Sequence, residues 1–236
     1  MTSSPSSEIG LEAFVRKAFS LIELLVIIAI VGILISLMVP AIGGAHNAAQ
    51  TANCKNNQRQ LVLATASYRG DHATNPPAFT TEFTAWDDER ILWQYLDQKA
   101  EGMVCPDHIH SEYSATGYNY NTSFIGDEGY ISGVVVRGVP LSQCAHPAYC
   151  AMFGDSSKNK FMRSPLSDSE FDPYTDPYTR CAGMQSFRHQ DATVVAWLDG
   201  HVSTVVAKFN DCSDDTHTGF LSEDNSAYDP RKLQLN

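Results

Sequence analysis

Basic residues are scarce in this 236-residue chain: Lys and Arg number 16 against 27 Asp and Glu, for a formal net charge of −11. Phosphate backbones are bound mainly by clustered Lys and Arg. Only short pairs such as Arg16-Lys17 and Arg231-Lys232 occur here, which excludes nucleic acid as an expected partner. Cysteine is sparse too: six residues are too few to build a disulfide scaffold at this length, although the even number suits an oxidising compartment. Also absent are a Gly-rich phosphate loop, an HExxH helix and a GxSxG elbow. The local signatures of phosphate transfer, zinc proteolysis and serine hydrolysis are therefore missing, and the chain reads as a non-enzyme. What the composition does supply is a hydrophobic fraction of 43%, enough for one ordinary domain with a real core.

There is one long apolar run. Residues 24–42 read LLVIIAIVGILISLMVPAI without a charge, and at about 1.5 Å per residue this approaches the thickness of a bilayer core. Arg16 and Lys17 are the only basic residues ahead of it, so the positive-inside bias keeps the leader cytoplasmic and sends the remainder outward. A cleaved signal peptide is the alternative, with Ala41 and Ala45 as small residues at its far end. Against it stands Glu23, a carboxylate at the start of the run whose burial in lipid costs about 2–4 kcal/mol without a partner.

The stretch Lys17-Ala18-Phe19-Ser20-Leu21-Ile22-Glu23-Leu24-Leu25 resembles the type IV prepilin motif, in which a cytoplasmic-side cut precedes a Phe placed four residues ahead of a Glu. The family usually has Gly where this chain has Ala18. The resemblance implies that a prepilin peptidase cuts between Ala18 and Phe19, that Phe19 becomes an N-methylated terminus, and that Glu23 sets subunit register. In that role the ammonium of Phe19 in one subunit neutralises the Glu23 carboxylate of its neighbour within a packed helix core. A plain membrane anchor whose Glu23 snorkels to the headgroups is the alternative.

Pro40 and Gly43-Gly44 predict a bend or a local melt, because Pro removes a backbone hydrogen bond and Gly costs about 1 kcal/mol relative to Ala. Ala45, Ala48, Ala49 and Ala52, then Leu61, Thr65 and Tyr68, recur at three- and four-residue spacing. That is the pattern of an amphipathic helix reaching Arg69 and stopping at Gly70. The expected organisation is a leader over 1–18, a transmembrane and amphipathic helix over 19–70, and an exported globular domain over 71–236. The text Cys54-Lys55-Asn56-Asn57-Gln58-Arg59-Gln60-Leu61 is similar to the helix of a large group of pilin-like proteins found mainly in planctomycete-type bacteria.

Asn75-Pro76-Pro77 marks a loop, and residues 91–96 a short helix or strand. Residues 133–139 and 150–153 are short apolar runs suited to strands, whereas 164–180, rich in Asp, Pro, Ser and Tyr, suits a long surface loop. Residues 192–198 and 201–207 flank Asp199-Gly200, a pair that favours a tight hairpin with positive φ at both centres. Nine residues separate His189 from Asp199. That spacing is similar to a His-x9-Asp-Gly element, here His189, Asp199 and Gly200, associated with prepilin-like processing in the same bacterial group. In a hairpin, His189 and Asp199 are expected to tie the strand ends by a side-chain hydrogen bond rather than to form a triad with Ser186. Between the two motifs the match is looser, through Cys105-Pro106 and Gly117-Tyr118-Asn119-Tyr120.

Cys105, His108 and His110 are zinc-ligand types within six residues, but no fourth ligand or common zinc spacing accompanies them, so no metal is expected there. Cys144 with Cys150, and Cys181 with Cys212, are candidate disulfides, each able to contribute about 2–4 kcal/mol. Free buried thiols are the alternative, above all for Cys54. Asp211, Asp214 and Asp215 crowd one loop. Such clusters can hold Ca²⁺, and major pseudopilins resemble this in having a C-terminal calcium loop, but a solvated acidic loop is the favoured reading and no cofactor is expected.

The resemblance implies an α+β, pilin-like fold, with a long N-terminal helix packed on a small antiparallel β-sheet. It implies a single-pass inner-membrane protein whose C-terminal domain lies in the periplasm. The implied function is that of a pseudopilin or pilin-like subunit of a type II secretion or type IV pilus-like system, processed by prepilin peptidase. Such a subunit assembles with like subunits, its own copies or others, through the helix surface of residues 24–39. The alternative is a membrane-tethered exported binding protein or hydrolase that uses the segment only as export signal and anchor.

Overall fold

The computed structural model describes residues 19–78, 84–97, 100–108, 116–126, 138–165, 183–210, 212 and 215–231. The chain divides into two compact units, Met1–Ala45 and His46–Asn236.

Helix α1, Leu21–His72, starts in the first unit. Its start carries the carboxylate half of a capping box: Glu23 Oε2 accepts the Ser20 N–H at 2.9 Å, a donor that a helix N-terminus otherwise leaves orphaned, and the Leu24 N–H makes the first helical bond to the Ser20 carbonyl at 3.2 Å. Every large apolar side chain from Leu21 to Ile42 is exposed, and this stretch is long and apolar enough to cross a membrane. Of the bend or local melt expected at Pro40 and Gly43-Gly44, the melt does not occur: both sites are helical. Pro40 removes one backbone bond, and the turns on either side, once nucleated, carry the helix through.

In the second unit α1 ends at His72, two residues beyond the expected stop at Gly70. Ala73 takes the left-handed conformation, φ 60°, and its N–H reaches the Arg69 carbonyl at 2.9 Å, an αL cap of the kind usually assigned to Gly. The buried stripe of α1 is Cys54, Gln58, Leu61, Thr65 and Tyr68, flanked by Val62 and Ala64. Ala45, Ala48, Ala49 and Ala52, expected on that face, are exposed. The buried stripe begins at Cys54, where a disulfide to Cys105 ties the helix to the Cys105 loop.

The strands are β1 (Tyr118–Asn121), β2 (Ala151–Asp155), β3 (Phe161–Met162), β4 (Gln185–Ser186), β5 (Thr193–Trp197), β6 (Val202–Val205) and β7 (Thr218–Gly219). Five form one sheet in the order β3-β1-β2-β5-β6, while β4 and β7 form a separate pair. The fold is α+β. The sheet is mixed, not purely antiparallel as expected: β3 runs parallel to β1. The short 156–160 connection reverses the chain after β2 and lays it beyond β1, so β3 points the way β1 does.

Strand β5 is buried along its whole length. Val194 and Ala196 join a core with Leu61, Trp86, Tyr120 and Phe153, while Val195 and Trp197 join a second core with Phe187, Phe220 and Tyr228. The two-residue period of a strand thus serves two packed faces. Trp86, Tyr120 and Phe153 pack around one another as tilted rings at centroid distances of 5.1 to 5.7 Å. The expected strand at 150–153 is β2. Residues 91–96 form a short 3-10 turn, Trp93–Tyr95. Of the expected strand at 133–139, Val139 is not in a strand and 133–137 lie outside the described residues, as do 166–180 of the expected loop.

The β5–β6 hairpin forms where the sequence placed it, with Ala196 opposite Val202, but its turn is of another kind. Trp197 N–H bonds the His201 carbonyl at 2.9 Å, and Gly200 N–H bonds the Trp197 carbonyl at 2.9 Å. Only Gly200 has positive φ, at 105°, which is a three-residue turn ending in a left-handed glycine. The tight turn with both centres at positive φ lies nine residues earlier. Gln190 and Asp191 have φ of 56° and 59°, and His189 and Ala192 exchange backbone bonds of 3.0 and 3.2 Å.

Candidate functional site

The turn at Gln190-Asp191 folds Arg188 and His189 back against the end of β2. There the pairing of Tyr118 with Asp155 and of Gly154 with Val195 leaves Asp155 between β1 and β5. Asp155 is fully buried. Its Oδ2 accepts the Val194 N–H at 2.7 Å and the Thr193 hydroxyl at 3.4 Å, and its Oδ1 lies 3.1 Å from Arg188 Nη2. Arg188 also donates to the carbonyls of Ser156 at 2.9 Å and Gly117 at 2.6 Å. Burial by itself pushes the Asp155 carboxyl up. The Arg188 charge and the hydrogen bonds from His189 and Val194 outweigh it and hold that carboxyl below the usual carboxylate range.

His189 closes the cluster. Its Nε2 lies 3.3 Å from Asp155 Oδ2 and 3.7 Å from Cys105 Sγ; its Nδ1 lies 3.0 Å from Asp107 Oδ2 and 3.5 Å from Thr51 Oγ1. Cys105 is bonded to Cys54 of α1, with Cα atoms 5.3 Å apart. The Cys105 loop is held in place by its N–H on the Thr116 carbonyl at 3.0 Å. Next to it Gly117, at φ 78°, lies against the His108 ring, where an added Cβ would come within 2.5 Å of the ring carbon, so only glycine fits.

The sequence brought His189 to attention but misplaced its partners. His189 and Asp199 do not meet: Asp199 Oδ1 sits 2.6 Å from His201 Nδ1 within the β5–β6 turn, while His189 faces Asp155 and Asp107. The expected hydrogen bond between strand ends is therefore replaced by two separate ones, because the earlier tight turn swings His189 away from the hairpin. Ser186 pairs with Thr218 in the β4–β7 ladder and takes no part.

Cys144 and Cys150 are free thiols, the alternative to the candidate bridge between them, whereas Cys54, for which a free thiol was the foremost alternative, is bridged. Cys150 Sγ points to the Tyr228 carbonyl at 2.9 Å and Cys144 Sγ to the Pro140 carbonyl at 3.6 Å, each turned away to its own acceptor. Burial pushes the Cys150 thiol well up and Cys144 up more mildly, since Arg69 opposes it there, so neither is an activated nucleophile. Cys212 is disulfide-bonded; Cys181, its expected partner, lies outside the described residues, as do Ala18, His110, Asp211 and Asp214. Asp215 accepts the His217 N–H at 2.9 Å and the Thr218 hydroxyl at 2.7 Å. Phe19 is exposed at the start of α1, four residues before the capping Glu23.

Asp155, Asp107, Thr51 and Gln58 were missed as site residues. The one available signal for Asp155 was an acid closing an apolar run, which reads equally well as a strand boundary. Comparison with family models, with curated proteins and with solved structures finds no match.

Proposed function

We propose that this chain is a prepilin-like subunit: cut between Ala18 and Phe19 by a prepilin peptidase, methylated at Phe19, and assembled with like subunits through α1. The observation that carries the reading is the exposed apolar surface from Leu21 to Ile42, interrupted by a single carboxylate, Glu23, at its first turn. Such a surface needs lipid or other apolar helices to cover it. On this reading Glu23, which caps its own helix through the Ser20 N–H, exchanges that donor for the new ammonium group of a neighbouring Phe19 once the leader is gone. The C-terminal domain is exported to the periplasm, and the role is structural rather than catalytic.

The test is the intact mass and N-terminal sequence of the protein from membranes with and without the prepilin peptidase. A peptidase-dependent chain beginning at methylated Phe19 is expected; an uncut start or a cut near Ala45 would overturn the reading. Glu23→Ala separates assembly from tethering: a subunit loses cross-linkable helix–helix assembly while staying in the membrane, whereas a simple anchor is unaffected.

A further inference from the structure

Four ligand-type side chains converge at one buried point from four separate parts of the chain. Cys54 comes from α1, Cys105 from its loop, Asp155 from the end of β2 and His189 from the tight turn before β5. Their ligand atoms all lie within 4.8 Å of one another. Two thiolates, an imidazole and a carboxylate are a donor set suited to a tetrahedral divalent cation of the zinc class.

The spacing can be compared with what a metal requires. With metal bonds of about 2.3 Å to sulfur and about 2.0–2.1 Å to nitrogen and oxygen, the edges of the tetrahedron are roughly 3.3 Å for nitrogen to oxygen and roughly 3.6 Å for sulfur to nitrogen. The observed separations are 3.3 Å from His189 Nε2 to Asp155 Oδ2 and 3.7 Å from His189 Nε2 to Cys105 Sγ. The two sulfurs are too close, since a covalent bond joins them; a shared metal needs them roughly 3.8 Å apart.

The surroundings match as well. Asp107 Oδ2 lies 3.0 Å from His189 Nδ1. With Nδ1–H donating to Asp107 Oδ2, the Nε2 lone pair faces the other three donors, the carboxylate–histidine arrangement typical of metal sites. The Val194 N–H fixes Asp155 Oδ2 at 2.7 Å. A dication with two thiolates and Asp155 carries one net negative charge, and Arg188 at 3.1 Å from Asp155 Oδ1 neutralises it.

We propose that Cys54, Cys105, Asp155 and His189 form a redox-gated site for a zinc-class divalent cation, closed by the disulfide and opened when it is reduced. The step balances. A dithiol reductant gives two electrons and two protons to the Cys54–Cys105 bond and is itself oxidised to a disulfide. The cation then binds and the two thiols release two protons. In an oxidising compartment the covalent bond ties α1 to the Cys105 loop; under reducing conditions the cation holds the same two elements together.

The experiment uses the full chain in detergent, oxidised or reduced with a phosphine that leaves no competing thiol, titrated with Zn²⁺ against a chromophoric chelator and with Co²⁺ as a spectroscopic probe. The reduced chain is expected to bind one equivalent and to show the sulfur-to-cobalt charge-transfer band and tetrahedral visible bands. The oxidised chain binds none. Asp107→Asn weakens binding about 10–100-fold, Cys54→Ser and His189→Ala weaken it further, and His108→Ala leaves it unchanged. Where reduction unfolds the chain, one equivalent of Zn²⁺ restores its circular dichroism transition. No stoichiometric binding, no restoration of fold, equal binding by the oxidised chain, or binding indifferent to His189→Ala would each overturn the proposal.

Discussion

The side-chain amide of Gln58 on α1 donates to the backbone carbonyl of Val194 on β5 at 2.9 Å, in the interior of the His46–Asn236 unit. A buried polar side chain in the apolar stripe of a helix fixes where that helix lies along a sheet, because any sliding leaves the carbonyl unpaired. Gln58→Ala is expected to cost about 1–3 kcal/mol through the unsatisfied Val194 carbonyl. The midpoint of denaturant unfolding, with the slope unchanged, is the measurement; a shift no larger than that of an exposed substitution such as Arg59→Ala would remove the registering role.

Asp155 and Arg188 are a buried pair, and removing one charge leaves the other uncompensated. Asp155→Asn is expected to cost about 3–5 kcal/mol. Asp155→Asn with Arg188→Met should cost clearly less than the sum of the two single changes, because the residues touch and couple. A double-mutant cycle on thermal unfolding measures this; strict additivity would mean that the 3.1 Å contact carries no coupling.

Two glycines should respond in opposite directions. Gly200 sits at φ 105°, so Gly200→Ala forces a side chain into a conformation it rarely adopts and should cost about 1–3 kcal/mol. Gly70 is helical, and an added Cβ meets nothing within 4 Å, so Gly70→Ala should stabilise by about 0.5–1 kcal/mol. Calorimetric melting of the two variants side by side checks both signs.

Tyr95 gives a test at alkaline pH. Burial first, and then its hydrogen bond to Asp71 Oδ2 at 2.8 Å, push the phenol up to about 12. A folded value above the unfolded one, about 10, makes ionisation harder in the native chain. This contribution to stability is therefore complete below pH of about 10 and is lost as pH rises through the folded value. An ultraviolet difference titration of wild type against Tyr95→Phe should show the missing phenolate near pH 12; its appearance at the ordinary phenol value would contradict the contact.

The local signals of the chain hold where structure depends on near neighbours. The apolar run, the helix through Leu61, Thr65 and Tyr68, strand β2 and the β5–β6 hairpin all follow from periodicity and turn chemistry. Errors arose where two local solutions compete. Asp-Gly suits more than one hairpin turn, and Gln190-Asp191, with no glycine, carried no turn signal strong enough to be noticed although both residues adopt positive φ. Gly70 is a stop signal, yet the helix continues to His72 because Ala73 supplies the cap.

By itself the sequence determined that one segment is apolar enough for a membrane, that an acid interrupts its first turn, and that an acidic α+β domain follows. Tertiary structure alone decided which residues meet. Cys54 and Cys105 are 51 positions apart, and Asp155 and His189 come from yet other elements; their convergence depends on sheet order and on one tight turn. Periodicity reports which face of an element is buried, but not which other element covers it. The cysteine pairing and the His189 cluster therefore became legible only once the strands were paired.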